Sequence, residues 1–244
     1  MNPFVLSLKD EFVRAFIDDG RYMQYVNGFI NTLKITGGAL LVGIVIGVLV
    51  AAVRTSFDKN KEAMKLHGGI GYYLLAFFNG VCKVYLTVIR GTPVVVQLMF
   101  MYFVIFASSS NGVLVGIIAF GINSGAYVAE IFRAGIMSID NGQFEAGRSI
   151  GFNYVQTMRF IIIPQMFKAV LPTLLNEFIA LLKETSVAGY VGVIELTKAG
   201  NIIGGRIFNY FIPLGIVAVI YLAVVMLLTW LVGIVERRLR KSER

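Results

Sequence analysis

The residues able to do chemistry in this chain are few, and their types decide which chemistry is open. There is one histidine, His67, and one cysteine, Cys82. A disulfide within the chain is therefore excluded, as is a Cys/His metal cluster, and histidine-based nucleophilic catalysis would rest on His67 alone. His67 lies among lysine and glycine between Lys65 and Gly69, which reads as a solvated loop. No glycine is followed by lysine, so the GxxxxGK[ST] loop that cradles nucleotide phosphates is absent. What remains is recognition by charge and hydrogen bond: Asn123 and Ser124, Glu130 and Arg133, Glu145, and the run Glu184, Thr185, Ser186. The chain is expected to bind no cofactor or metal and to catalyse no bond chemistry itself.

The elements that must position these groups are set by composition. Apolar residues make up 57% of the chain, charged residues 15%, and the mean hydropathy is +0.76, the profile of a membrane protein. A helix needs about 20 apolar residues to cross the hydrocarbon core. Ile35 to Val53 and Ile207 to Val235 are uncharged, and the charge-free run Gly91 to Ala129 is long enough for two crossings if it turns at Ala107-Ser-Ser-Ser-Asn-Gly112. Phe160 to Lys183 contains Pro164, Lys168, Pro172 and Glu177, which lipid would reject. Such a helix must face protein or a water-filled cavity. The fold expected is thus all-α with five transmembrane helices, at about 29–53, 86–106, 113–133, 160–183 and 208–235.

Lysine and arginine in short loops mark the cytoplasmic side. They collect in 54–90, in 133–168, and in the tail with Arg237, Arg238, Arg240, Lys241 and Arg244. The N-terminus is then outside and the C-terminus, including the tail 241–244, in the cytoplasm. The net charge of +8 is a topology signal, and the absence of stacking aromatics between the basic residues argues against nucleic acid. The first 25 residues lack the short apolar core and small-residue site of a cleavable signal. Phe4, Leu8, Phe12 and Phe16 recur at helical spacing, so 1–25 reads either as an amphipathic segment in the outer interface or as a poorly ordered tail.

On the cytoplasmic side between the third and fourth spans, 138–158 reads as two short helices. Asp140 with Gln143, and Asn153 with Gln156, have the form of capping boxes, and Gly151 suits a stop where φ turns positive. The first helix carries Phe144, Glu145, Ala146 and Gly147 and is too short to be stable alone. Small Ala146 and Gly147 would admit another protein's surface, while Phe144 could fill a pocket.

The pattern Glu145-Ala146-Gly147, three residues, Gly151, nine residues, then Ile161-Ile162-Ile163-Pro164 resembles the EAA signature of bacterial ABC-importer permeases. Gly147 replaces an alanine of that consensus and Ile163 a leucine. Arg90-Gly-Thr-Pro93 with Val94-Val-Val-Gln97-Leu98, Tyr127-Val-Ala-Glu130-Ile-Phe-Arg133-Ala-Gly135-Ile136, Leu182-Lys-Glu-Thr-Ser186 and Gly28-Phe-Ile-Asn-Thr-Leu33 narrow the resemblance to permeases for polar amino acids, over 26–240. The loop Ser56 to Gly80 looks longer than usual.

The resemblance implies a type I importer fold in the bacterial plasma membrane. Two permeases, a homodimer or a pair of paralogues, would line one pathway. An ATP-binding subunit dimer, holding ATP and Mg, would sit beneath, and an extracytoplasmic amino acid-binding protein outside. Phe144, Glu145, Ala146, Gly147 and Gly151 would form the ATPase-coupling segment. Asn123, Ser124, Glu184, Thr185 and Ser186 are candidates for the substrate pathway, although polar groups at mid-span also bridge helices. For Glu184 the other reading is a partner to a snorkelling Lys183. Glu130 and Arg133 read as an ion pair on a protein-facing surface. The rival functions are an ion-coupled secondary transporter, against which stand the odd number of spans and the lack of a repeat, and a small channel, against which stands the lack of a selectivity motif.

Overall fold

In the computed structural model, which describes residues 3–67 and 69–241, every regular element is helical. The helices are α1 (Pro3–Phe12), α2 (Tyr22–His67), α3 (Ile70–Gly91), α4 (Val94–Phe100), α5 (Gly112–Met137), α6 (Asn141–Ser149), α7 (Tyr154–Thr157), α8 (Ile163–Glu184), α9 (Leu196–Ile207) and α10 (Phe211–Lys241). π-helical turns at Met101–Ile105 and Met158–Ile162 extend α4 and join α7 to α8. Among the described residues, five helices are long and apolar enough to cross a membrane: Tyr22–Lys59, Ile70–Gly91, Gly112–Met137, Tyr154–Val191 and Phe211–Leu239. The tail beyond Lys241 lies outside the described residues.

The second of these helices is Ile70–Gly91, where the uncharged run suggested 86–106, and the reason is local. Lys83 and Arg90 hide this helix from a search for uncharged runs, while Thr92 is extended, at φ −121° and ψ 147°, as the residue before a proline tends to be. The helix therefore ends where the uncharged run begins. The remainder forms a shorter apolar piece, Val94–Ile105, which leads into the Ser/Asn turn before α5. There Asn111 caps the new helix by accepting from the Leu114 amide at 3.0 Å.

The stretch from Ser56 onward is not a loop. It continues α2 to His67 and starts α3 at Ile70, because Lys, Glu, Ala, Met and Leu are strong helix formers even where they are too polar for lipid. At about 1.5 Å per residue, the 46 residues of α2 span about 70 Å, over twice a hydrocarbon core of about 30 Å. Phe57 stacks on Tyr72 of α3 with ring centroids 6.4 Å apart.

The contacts cluster in two units, 1–39 with 95–120 and 179–231, and 40–94 with 121–178 and 232–244. The first unit packs Tyr25, Leu196, Ile203 and Val217 with Phe16 and Phe29. Its N-terminal segment is helical and anchored: Ala15 is buried, and the Phe16 ring stacks on Tyr25 at 5.9 Å. In the same unit the Gly28-Phe-Ile-Asn-Thr segment receives the start of α9. A Cβ on Gly28 would lie 2.9 Å from the Glu195 carbonyl, Asn31 donates to the Ile194 carbonyl at 2.9 Å, and Thr32 Oγ1 accepts from the Leu196 amide at 3.2 Å.

The second unit packs Val128, Phe132, Ile136, Phe144, Ile162, Met166 and Val170. Glycine sets the helix spacing here, for a Cβ on Gly47 would come within 2.5 Å of Val128, and one on Gly125 within 2.8 Å of the Tyr85 hydroxyl. These helices approach closely because the glycines carry no side chain.

Candidate functional site

Helix α6 lies between the third and fourth spans and is fixed at both ends. Asp140 is its N-cap, but its Oδ1 accepts from Gly142 at 2.6 Å and the expected box with Gln143 does not form. Gln143 turns instead toward Gln165, accepting at 3.2 Å. The second box does form, with Asn153 and Gln156 exchanging hydrogen bonds at 2.9 Å in both directions. At the C-terminus Gly151 has φ +84°, the Phe152 amide bonds the Gly147 carbonyl at 3.0 Å and the Gly151 amide bonds Arg148 at 3.0 Å. That pair of bonds across a left-handed glycine is the Schellman stop.

The helix divides its residues by face. Glu145 and Ala146 are exposed, whereas Phe144 and Gly147 are buried within their own unit. Phe144 therefore fills its own core and is not free to enter another protein's pocket. A Cβ on Gly147 would lie 2.7 Å from both side-chain atoms Oγ1 and Cγ2 of Thr157, which explains glycine where the resembling pattern has alanine. Beside α6 is a cavity of about 420 Å³ lined by Lys59, Asn141, Phe144, Glu145, Arg148, Tyr154 and Thr157.

Four charged residues of this unit join into a chain. Glu130 and Arg133 pair at 3.2 Å, as their spacing predicts; Arg90 also reaches Glu130, at 3.6 Å, and Arg133 reaches Asp58, at 3.8 Å. The recurring segments around Arg90-Gly-Thr-Pro93 and Tyr127 to Arg133 thus meet in space, with the Arg90 guanidinium 6.0 Å from the Tyr127 ring centre.

Of the pathway candidates, Asn123 and Ser124 are buried in α5. Ser124 donates its hydroxyl to Glu177 Oε1 of α8 at 2.8 Å. It is a bridge between helices, but a bridge to a half-buried carboxylate inside a membrane-spanning helix. Glu177 was visible in the sequence only as a charge that lipid would reject; nothing there named its partner. The other candidates lie where α8 gives way to a 3₁₀ turn, Thr185–Val191. Glu184 is exposed, Thr185 is buried and donates to the Leu182 carbonyl at 2.8 Å, and Ser186 lines a cavity of about 360 Å³ with Lys183, Thr197 and Tyr221.

A second carboxylate escaped the sequence reading. Glu195 is fully buried at the N-terminus of α9, where it accepts from the amides of Thr197 and Lys198, each at 2.7 Å, and from the Tyr221 hydroxyl at 3.4 Å. Burial pushes its carboxyl above the usual range, opposed by those two amide bonds. Glutamate is an unusual cap, so no local signal marked it. Among the described residues no cluster of His, Cys, Asp and Glu could hold a metal.

Comparison with known proteins finds that residues 68–241 match the family described as binding-protein-dependent transport system inner membrane component. A glutamine transport system permease protein of Rickettsia bellii, GlnP, is 35% identical over 217 residues, covering 88% of this chain and 92% of that protein. The arginine transport system permease protein ArtQ of Bacillus subtilis is 31% identical over 221 residues, covering 89% and 93%. A crystal structure described as an amino acid ABC transporter with histidines superposes with a TM-score of 0.76 at 37% identity, covering 89% of this chain and 94% of the other.

Proposed function

This chain belongs to the binding-protein-dependent transport system inner membrane components, multi-pass proteins of the bacterial membrane, and we propose that it forms half of the pathway of an ATP-driven importer for a polar amino acid. Permeases of amino acid ABC transporters are transport components that work with an ATPase and a binding protein. The observation that carries the coupling half of the reading is α6, a capped polar helix between two crossings that presents Glu145 and Ala146 outward. In this reading a partner ATPase, holding ATP and Mg, docks on that face from the cytoplasm, the side marked by the basic loops. Closure of the ATPase pair draws the two docked helices together and rocks the permeases between inward-open and outward-open states. A second copy of this chain completes the pathway, with a paralogue as the alternative.

Glu177 supports the substrate half. An ionisable group in a membrane-spanning helix is costly unless it faces protein or a polar cavity, and only one side-chain hydroxyl, that of Ser124, donates to it among the described residues. A substrate ammonium or side-chain cation would supply the missing partner.

The test is purification of the tagged chain from its native cells in mild detergent, with mass spectrometry of what accompanies it, beside Glu145→Arg. An ATPase bound to wild type and lost from the variant is the expected result, and the same spectra identify the second permease. If no ATPase appears even after cross-linking, the reading fails and ion-coupled transport takes its place.

A further inference from the structure

The polar end of α2, from Ser56 to His67, has no part in the function so far, yet it reaches α6. Lys59 Nζ donates to Asn141 Oδ1 at 2.8 Å and stands 4.6 Å from the centre of the Phe144 ring. One ammonium thus grips α6 at its first residue and again one turn later, by a charge-assisted hydrogen bond and a cation–π contact. The next residue back, Asp58, lies 3.8 Å from Arg133 and so begins the ion chain that runs through Glu130 to Arg90, one residue before α3 ends and the backbone breaks at Thr92.

The geometry points to Lys59 as a positioning residue for coupling, one that holds α6 against the projecting end of α2 so that displacement of α6 is passed to the ion chain at the α3 break. The physical case is that α6 is too short to hold its own orientation, and its caps fix where it starts and stops but not how it is rotated. Glu145 and Ala146 face outward only while Phe144 stays inward, and Lys59 is the polar group lying over that ring. A methionine at 59 would keep the apolar stem and lose both polar grips; an arginine would retain a cation able to make them.

This inference rests on the ATP-coupled reading, and its test separates the two. The whole transporter, permease with its co-purified ATPase and binding protein, is reconstituted in liposomes, and amino acid uptake and ATP hydrolysis are measured together for wild type, Lys59→Met and Lys59→Arg. Lys59→Met is expected to lower the number of molecules carried per ATP roughly three- to tenfold, and Lys59→Arg to restore most of it. Should Lys59→Met fail to accumulate, Asn141→Ala, which removes the acceptor from the other side, is read by the same ratio. An unchanged ratio, a parallel fall of uptake and hydrolysis, or a loss that arginine does not rescue overturns the role of Lys59. Absence of any ATPase from the wild-type complex overturns the importer reading instead.

Discussion

Two buried or half-buried carboxylates, Glu177 and Glu195, stand in opposite conditions. Glu195 is fully enclosed at the head of α9 and surrounded by donors: the two amides at 2.7 Å and the Tyr221 hydroxyl. Glu177 sits in the second half of α8, where among the described residues one side-chain hydroxyl, that of Ser124, donates to it. The first has its hydrogen-bonding capacity met by its own chain, so its value lies in stability. The second leaves capacity over, which is what the proposed substrate contact rests on. Burial alone does not set the two acids apart; the count of donors does.

The contrast is broken most directly at Glu177. Glu177→Gln keeps the shape and removes the charge, and uptake in liposomes is expected to fall about tenfold or more, a loss of about 1.4 kcal/mol or above, with thermal stability and ATPase binding unchanged. Uptake at the wild-type level would make Glu177 a helix tie and erase the distinction. Glu195→Gln should do the reverse. It turns an amide NH₂ toward backbone N–H groups, so stability should drop by about 2 kcal/mol, read as a lower Tm in detergent, while uptake per folded molecule holds. The pH dependence sharpens this. A carboxyl whose folded pKa is raised above its unfolded value of about 4.3 contributes fully below that value and loses the contribution as pH rises through the folded pKa. Burial raises Glu195, so the gap in Tm between wild type and Glu195→Gln should narrow with rising pH; a gap that widens would contradict it.

The smallest effects come from the donors. Ser124→Ala removes the one side-chain donor to Glu177 among the described residues, and should change uptake by about threefold, within the 0.5–1.5 kcal/mol of an ordinary hydrogen bond. Tyr221→Phe removes a 3.4 Å contact from a carboxylate that keeps its two amides, and should lower stability by about 0.5 kcal/mol, read as a small fall in Tm. Equal effects of the two would mean that both acids are held alike.

Much of the fold was legible because lipid allows few solutions. Uncharged runs coincide with the first, third and fifth of the long apolar helices, and the Ser/Asn turn with the break before α5. The second such helix was not read because Lys83 and Arg90 interrupt it, while the uncharged run that follows is broken by the backbone at Thr92 and Pro93. α6 could be read from its caps, and Gly151 and the Asn153–Gln156 box formed as their chemistry requires. Asp140 did not form its box, since Gln143 found Gln165 instead. Tertiary partners of that kind leave no local trace. The same holds for Ser124 with Glu177 and for Lys59 with Phe144: each pair is distant in sequence, and each side chain alone has an ordinary structural explanation.

The π-helical turn at Met158–Ile162 has its own consequence for how such a protein tolerates change. A wide turn of this type is how a helix absorbs one extra residue without unwinding. Five residues in a π turn carry the chain about as far round the axis as four in an α turn, so one residue can be lost at Met158–Ile162 with Glu177 still on the face that meets Ser124. The same loss between Pro164 and Asn176 would swing Glu177 through about 100° and carry it off that face. The π turn is thus the point in this segment where a change of length by one codon leaves the capped start and the carboxylate in phase.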